Sequence, residues 1–307
     1  MGRALEWTTG SWARGVVEWT DADTAYLSVV FSWDARAAYS RACWYRQSGY
    51  NVRVGGPGVA HPKVSRLFDG VAETGGSIPG TQRRHNPMAT KASEGCDVGC
   101  SHCIVWWLEG RAYKLLPDFE PRPVLTDNNL SALPVDYQQH IIDRYLAFGV
   151  PLLDANSGFE PKKFDEDTYE RWRPINKGPW RFGLDESFET GDARRVIDLL
   201  KRRGVSSRKI RVYVMIGREP FAECMARIRT VIDMGAEPYV QPFYKLNTLE
   251  QRYWVGHDWS EYQLKRVQRW ANSPMIWRKV PFDNYRPSIK TSRHLDRRVD
   301  NLFGSEA

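Results

Sequence analysis

The stretch KASEGCDVGCSHCIVWWLEG, residues 91–110, carries three of the five cysteines of this 307-residue chain. Cys96, Cys100 and Cys103 form a C-x3-C-x2-C pattern, bracketed by glycines and followed by an apolar run. Thiolates gathered in one loop are ligands by type, and the open question is how many a bound group needs. A structural zinc ion takes four protein ligands from Cys and His. His102 lies between Cys100 and Cys103, where its side chain cannot easily reach the same ion. Cys43 and Cys224 fall inside helical patterns, where cysteine behaves as a small hydrophobe. Three thiolates on a four-iron cluster leave one iron open to a substrate or cofactor. A zinc knuckle that recruits a distant fourth ligand stays open beside that reading.

Such a loop needs a frame, and the flanking sequence supplies a rhythm of strand and helix. TAYLSVVFSW (24–33) reads as a buried strand, DARAAYSRACWYRQSGY (34–50) as a helix N-capped by Asp34, and NVRVGGPGVA (51–60) as a second strand. That is one βαβ unit, with parallel strands and a right-handed crossover. Residues 61–90, rich in Gly, Pro, Arg and Thr, read as a linker with some short structure. Beyond the cysteines, RPVLTDNN, VPLLDANSGFEP, WRFGLDES, RKIRVYVMIG and EPYVQPF read as strands. They are separated by helical patterns such as PVDYQQHIIDRYLAFG, the amphipathic GDARRVIDLLKRRG and FAECMARIRTVIDMG. The alternation predicts an α/β fold: a parallel sheet flanked by helices, forming a barrel or part of one. Ligands gather at the C-terminal ends of such strands. Those ends carry Asp127, Asn128, Asn129, Asp154, Asn156, Asp185, Glu186, Gly217 and Gln241.

C-x3-C-x2-C followed by a parallel α/β layout resembles the radical S-adenosylmethionine (radical SAM) superfamily over residues 91–243. The upstream βαβ with GGPGV resembles a truncated, cobalamin-binding-like Rossmann segment, of the kind that precedes some small radical SAM cores of phage and bacterial type. No Asp-x-His-x-x-Gly motif is present, so cobalamin is not expected. The resemblance implies a partial parallel (β/α)6-type barrel with a small N-terminal βαβ segment and a helical C-terminal extension. It also implies a [4Fe-4S] cluster on Cys96, Cys100 and Cys103, with S-adenosylmethionine on the open iron. His102 takes the place of the family's aromatic residue before the last cysteine. The family's Gly-Gly-Glu segment would fall at Asp127, Asn128 and Asn129, where those glycines are missing. Asn156, Ser157 and Asp185 stand where ribose and carboxylate contacts are expected, and Ile216 and Gly217 near the expected adenine. The implied activity is reductive cleavage of S-adenosylmethionine to a 5′-deoxyadenosyl radical acting on an unidentified substrate, with flavodoxin or ferredoxin as electron donor. A radical SAM methyltransferase and a non-enzymatic cysteine–metal protein that binds nucleic acid are the alternatives.

Composition limits these options. There are 44 Lys and Arg against 37 Asp and Glu, a net charge of +7 spread along the chain. That balance reads as a solvated basic surface and leaves a nucleotide or nucleic-acid substrate open. The 13 tryptophans read first as core and amphipathic packing, with base stacking as the second reading. No apolar run reaches the roughly 18 residues of a membrane span and no secretory h-region is evident, so the chain reads as cytoplasmic, with no membrane partner. An odd number of cysteines, mostly clustered, argues against a secreted disulfide framework. The expected layout is a Rossmann-like segment and linker over 1–85, a core over 86–245 and a helical extension over 246–307 ending in a basic, partly disordered tail.

Overall fold

The computed structural model describes residues 7–287 except 77 and 79, and the basic tail lies outside the described residues. The N-terminal unit is a four-stranded sheet in the order β1-β2-β3-β4, formed by β1 (Val16–Asp21), β2 (Thr24–Val29), β3 (Asn51–Gly55) and β4 (Glu73–Thr74). Helix α1 (Ala35–Gln47) makes the expected crossover between the parallel strands β2 and β3. The sequence misses β1, which pairs antiparallel with β2 through a tight turn at Ala22, where φ is 49°. It also carries β2 too far. The strand stops at Val29, and a 3-10 turn over Ser32–Asp34 feeds α1 directly, so the side chain of Asp34 makes no capping bond. Ala35, Ala38 and Ala42 of α1 are fully buried against Ala25, Leu27 and Val29 of β2, and their small side chains let helix and sheet approach closely.

The stretch 61–90 contains the expected short structure, with several of its side chains buried. It holds α2 (Pro62–Ser65), α3 (Thr81–His85) and β5 (Ala89–Thr90), and Val64, Phe68, His85, Asn86 and Ala89 are buried. Elements of two to five residues are too short to show a period, which is why the sequence hides them. Past β5, a small antiparallel pair, β6 (Ser93–Glu94) and β7 (Lys114–Leu115), encloses the cysteines and α4 (Val105–Leu108).

The larger unit follows. Strand β8 (Val124–Leu125) lies between β5 and β9 (Asp154–Ala155) in a parallel sheet. Strands β10 (Trp180–Gly183), β11 (Ile210–Ile216) and β12 (Glu237–Pro242) form a second parallel sheet in sequence order. Isolated parallel bridges, Leu152–Asn176 and Phe159–Phe182, link the two. Helices α5 (Val135–Phe148), α6 (Glu166–Trp172), α7 (Thr190–Arg202), α8 (Phe221–Asp233) and α9 (Glu261–Ala271) alternate with these strands, and α10 (Pro274–Trp277) comes after them. The architecture is mixed α/β with parallel strands, and among the described residues it does not close into a barrel.

Strand β11 shows how the sheet sorts its side chains. Ile210, Val212, Val214 and Ile216 are fully buried in the core that includes Leu200 of α7 and Ile228 of α8, while Arg211, Tyr213 and Met215 alternate onto the other face. The C-terminal helices belong to the same core, since Leu264, Val267, Trp270, Phe282 and Tyr285 pack into it. Among the described residues no helix is long and apolar enough to cross a membrane.

Candidate metal and cofactor site

The cysteine loop is pinned at its neck by charge. Lys91 and Glu109 form an ion pair whose side chains are only 8% and 5% exposed. The second oxygen of Glu109 accepts the Gly95 N–H at 2.9 Å and the Asn128 side-chain amide at 2.7 Å. The same Asn128 nitrogen donates to the Gly95 carbonyl at 2.9 Å. Gly95 itself has φ +83°, and a Cβ there would strike the Ala112 carbonyl, so only glycine fits at this close approach. One layer below, Asp127 accepts the Ala92 N–H at 2.9 Å and the Ser93 hydroxyl at 2.5 Å. Burial raises the Asp127 carboxyl to about 6 in spite of these donors. Farther out, Asp97 accepts from Tyr113 at 2.8 Å and from Lys163 at 3.0 Å.

Held this way, Cys96, Cys100 and Cys103 all line one cavity of about 680 Å3. Every one of the five cysteines is free. The Cys103 sulfur accepts the Val105 N–H at 3.4 Å, and a Val98 N–H serves Cys96. Burial first, then the neighbouring thiols and carboxylates, pushes the Cys100 thiol up to about 11, and burial likewise raises Cys96 and Cys103. Cationic iron placed among these sulfurs would reverse that balance, which is the electrostatic requirement of a thiolate site. Among the described residues no three His, Cys, Asp or Glu side chains are gathered closely enough to hold a single metal ion. Cys43 and Cys224 do not line the cavity; Cys224 is fully buried in the core and Cys43 sits on α1.

The remaining walls come from strand ends. Asn128 and Asn129 follow β8, Asn156 and Ser157 follow β9, Gly183 ends β10 and Asp185 follows it, Met215 belongs to β11 and Gln241 to β12. His102 faces them and is held on both ring nitrogens. Its Nδ1 lies 3.0 Å from Nη1 of Arg218, and a guanidinium can only donate, so Nδ1 is the acceptor and Nε2 carries the proton. Nε2 lies 3.5 Å from Asp185, whose other oxygen accepts the Met215 N–H at 3.0 Å. Asn129 accepts the Glu160 N–H at 3.1 Å and ties β8 to the loop after β9.

Of the residues singled out in the sequence, the three cysteines, His102, Asn128, Asn129, Asn156, Ser157 and Asp185 come together around this cavity, and Asp127, Ile216 and Gly217 are not among its lining. Asp127 faces the strand before the cysteine loop, as its bonds to Ala92 and Ser93 require. Ile216 points into the core by strand alternation, and its neighbour Met215 takes the cavity position. Gly217, at φ +97°, turns the chain beneath Trp254 and Leu264.

One wall was not foreseen. Val30, Phe31, Ser32, Trp33, Pro57 and Gly58 also line the cavity, so the C-terminal ends of β2 and β3 face the same space as the cysteines. A strand–helix–strand unit exposes its strand ends at one edge, and that signal was legible in GGPGV. The chain matches no protein-family model, and no curated protein matches it.

Proposed function

We propose that this protein is a radical SAM enzyme acting on a substrate still to be identified. The observation that carries the reading is the convergence of Cys96, Cys100 and Cys103, from one glycine-flanked loop, on a cavity at the C-terminal ends of parallel strands, with neither Cys43 nor Cys224 among its lining. The six strands β5, β8, β9, β10, β11 and β12, alternating with helices and linked by the bridges between β9 and β10, support a partial (β/α)6 barrel as their common plan.

In this reading Cys96, Cys100 and Cys103 hold a [4Fe-4S] cluster, and S-adenosylmethionine takes the open iron. Such a cluster would supply the single electron needed for reductive cleavage of S-adenosylmethionine at its sulfonium. The chain's own residues position that chemistry. The Lys91–Glu109 pair and Asn128 fix the loop, and the backbone N–H of Val105 stabilises negative charge on the Cys103 sulfur. Asn156, Ser157 and Asp185 offer donors and acceptors to a polar cofactor. Five free thiols suit a reducing cytoplasm, where a flavodoxin or ferredoxin would be the electron donor.

Anaerobic reconstitution with iron and sulfide tests this reading. The expected product is a brown protein with equal amounts of iron and acid-labile sulfide. A colourless protein that takes up one zinc per chain would favour the non-enzymatic alternative, and formation of S-adenosylhomocysteine would favour methyl transfer.

A further inference from the structure

The part of the cavity wall supplied by the end of β2 and the segment past β12 is aromatic, and the cofactor chemistry above gives its rings no contact with the cofactor. Phe31 and Trp33 leave the end of β2 with their rings stacked, centroids 4.4 Å and planes 6° apart. Tyr244, just past β12, packs on Trp33 at 5.0 Å and on Tyr253 at 4.8 Å. The two halves of this surface belong to different units of the fold, so it exists only when both are docked. The antiparallel bridge Tyr244–Tyr253 closes the loop past β12, and Leu249 within that loop packs against the N-terminal core and holds the two units together. The loop after β3 presses on the backbone of Phe31: a Cβ on Gly58 would lie 2.6 Å from its carbonyl carbon. Phe31 is therefore fixed, yet 49% exposed, a large ring presented to the cavity rather than packed away.

Charge around the cavity is divided in the same way. Asp185 and Glu160 lie near Cys100, and Glu189 accepts the Asp185 N–H at 2.9 Å. On the aromatic side stands Lys245, which among the described residues is the lysine or arginine lining the cavity and whose ammonium rests 3.6 Å from the centre of the Trp254 ring, from which a phosphate would have to draw it. A ligand suited to both features has a flat aromatic ring and an anionic group a short distance from it.

We propose that this wall is the substrate subsite and that the substrate is a nucleotide, its base stacked on the free face of Phe31, which Trp33 and Tyr244 back, and its phosphate at Lys245. Every base has a π-face, so such a platform accepts purines and pyrimidines alike, and the ammonium selects the phosphate by a charge-assisted bond. The proposal deepens the radical reading and rests on it for the reaction, while binding needs only the aromatic wall. S-adenosylmethionine carries a purine as well, so the cofactor is the other source of a ring at this surface.

Calorimetric titration of the full chain separates the two. The probes are the four common nucleoside 5′-monophosphates and their parent nucleosides, with and without saturating S-adenosylmethionine, before and after iron–sulfur reconstitution. Monophosphates are expected to bind, and to remain bound when S-adenosylmethionine is saturating. Phe31→Ala should weaken nucleosides and monophosphates alike by about 5- to 150-fold, the range of a lost base–aromatic stack. Phe31 is half exposed, so this variant keeps its core, and Trp33→Phe, which retains a ring, should bind nearly as the parent does. Lys245→Ala should remove the preference for monophosphate over nucleoside. No binding by the parent chain, undiminished binding by Phe31→Ala, or displacement by S-adenosylmethionine would overturn the proposal. Nucleotide binding in a protein that takes up no iron would sustain it while removing the cluster reading.

Discussion

Removing either partner of the buried Lys91–Glu109 pair should open the neck of the cysteine loop. Both side chains are almost fully enclosed, so Lys91→Met leaves a carboxylate out of water with no countercharge. Breaking such a pair typically costs about 3–5 kcal/mol. Glu109 would keep the Gly95 N–H and the Asn128 amide as donors, which places the expected loss near the lower end, about 3 kcal/mol. Glu109→Gln keeps an oxygen for those donors but strands the ammonium, and should cost a similar amount. The double variant has no buried charge left and should lose roughly 1 kcal/mol, so the cycle yields a coupling energy of several kcal/mol. Urea denaturation of the four proteins measures it, with iron retained after reconstitution as a second readout of loop geometry. Single variants that each lose less than about 1 kcal/mol, with effects that simply add, would refute the clamp.

Three further outcomes follow from the same site. The Asp127 carboxyl is raised from 3.8 to about 6 by burial, so the fold binds more protons than the unfolded chain between those pH values. Relative to Asp127→Asn, the parent chain should therefore lose about 3 kcal/mol as pH rises from below 4 to above 6, and parallel pH–stability curves would contradict this. Alanine at Cys96, Cys100 or Cys103 should abolish iron retention. Alanine at Cys224, which is fully buried, should cost about 1–2 kcal/mol of packing and keep the iron, and its loss from a folded Cys224→Ala protein would mean a fourth protein ligand. Gly95→Ala, at φ +83° and against the Ala112 carbonyl, should destabilise the loop by roughly 1–3 kcal/mol and lower iron retention, and an unchanged melting profile would show the loop relaxing freely.

Where long periodic patterns exist, the sequence shows the fold directly. β11 reads plainly because seven residues alternate, and α7 because its apolar face recurs at helical spacing through Ala193, Val196, Ile197 and Leu200. β5, β8 and β9 have two residues each, too few for any period, and β5 was lost in what reads as a linker. The cysteine trio and the polar residues at strand ends were legible because their chemistry is written in residue type. The clamp was not, since Lys91 and Glu109 are 18 positions apart and either alone looks like an ordinary surface charge. Ile216 illustrates a different failure: the strand was located, but one step of alternation turns its side chain to the helices and leaves Met215 in the cavity. Phe31 and Trp33 read as strand interior, and only the early end of β2 at Val29 releases them into the wall.

Cleavage of S-adenosylmethionine is the decisive assay. The reconstituted protein, reduced with dithionite under anaerobic conditions, is mixed with S-adenosylmethionine and the products are separated by liquid chromatography and mass spectrometry. The expected result is 5′-deoxyadenosine and methionine in equal amounts, absent from the Cys100→Ala variant. Intact S-adenosylmethionine beside a fully loaded, reducible cluster would contradict the assignment of these three cysteines to radical chemistry.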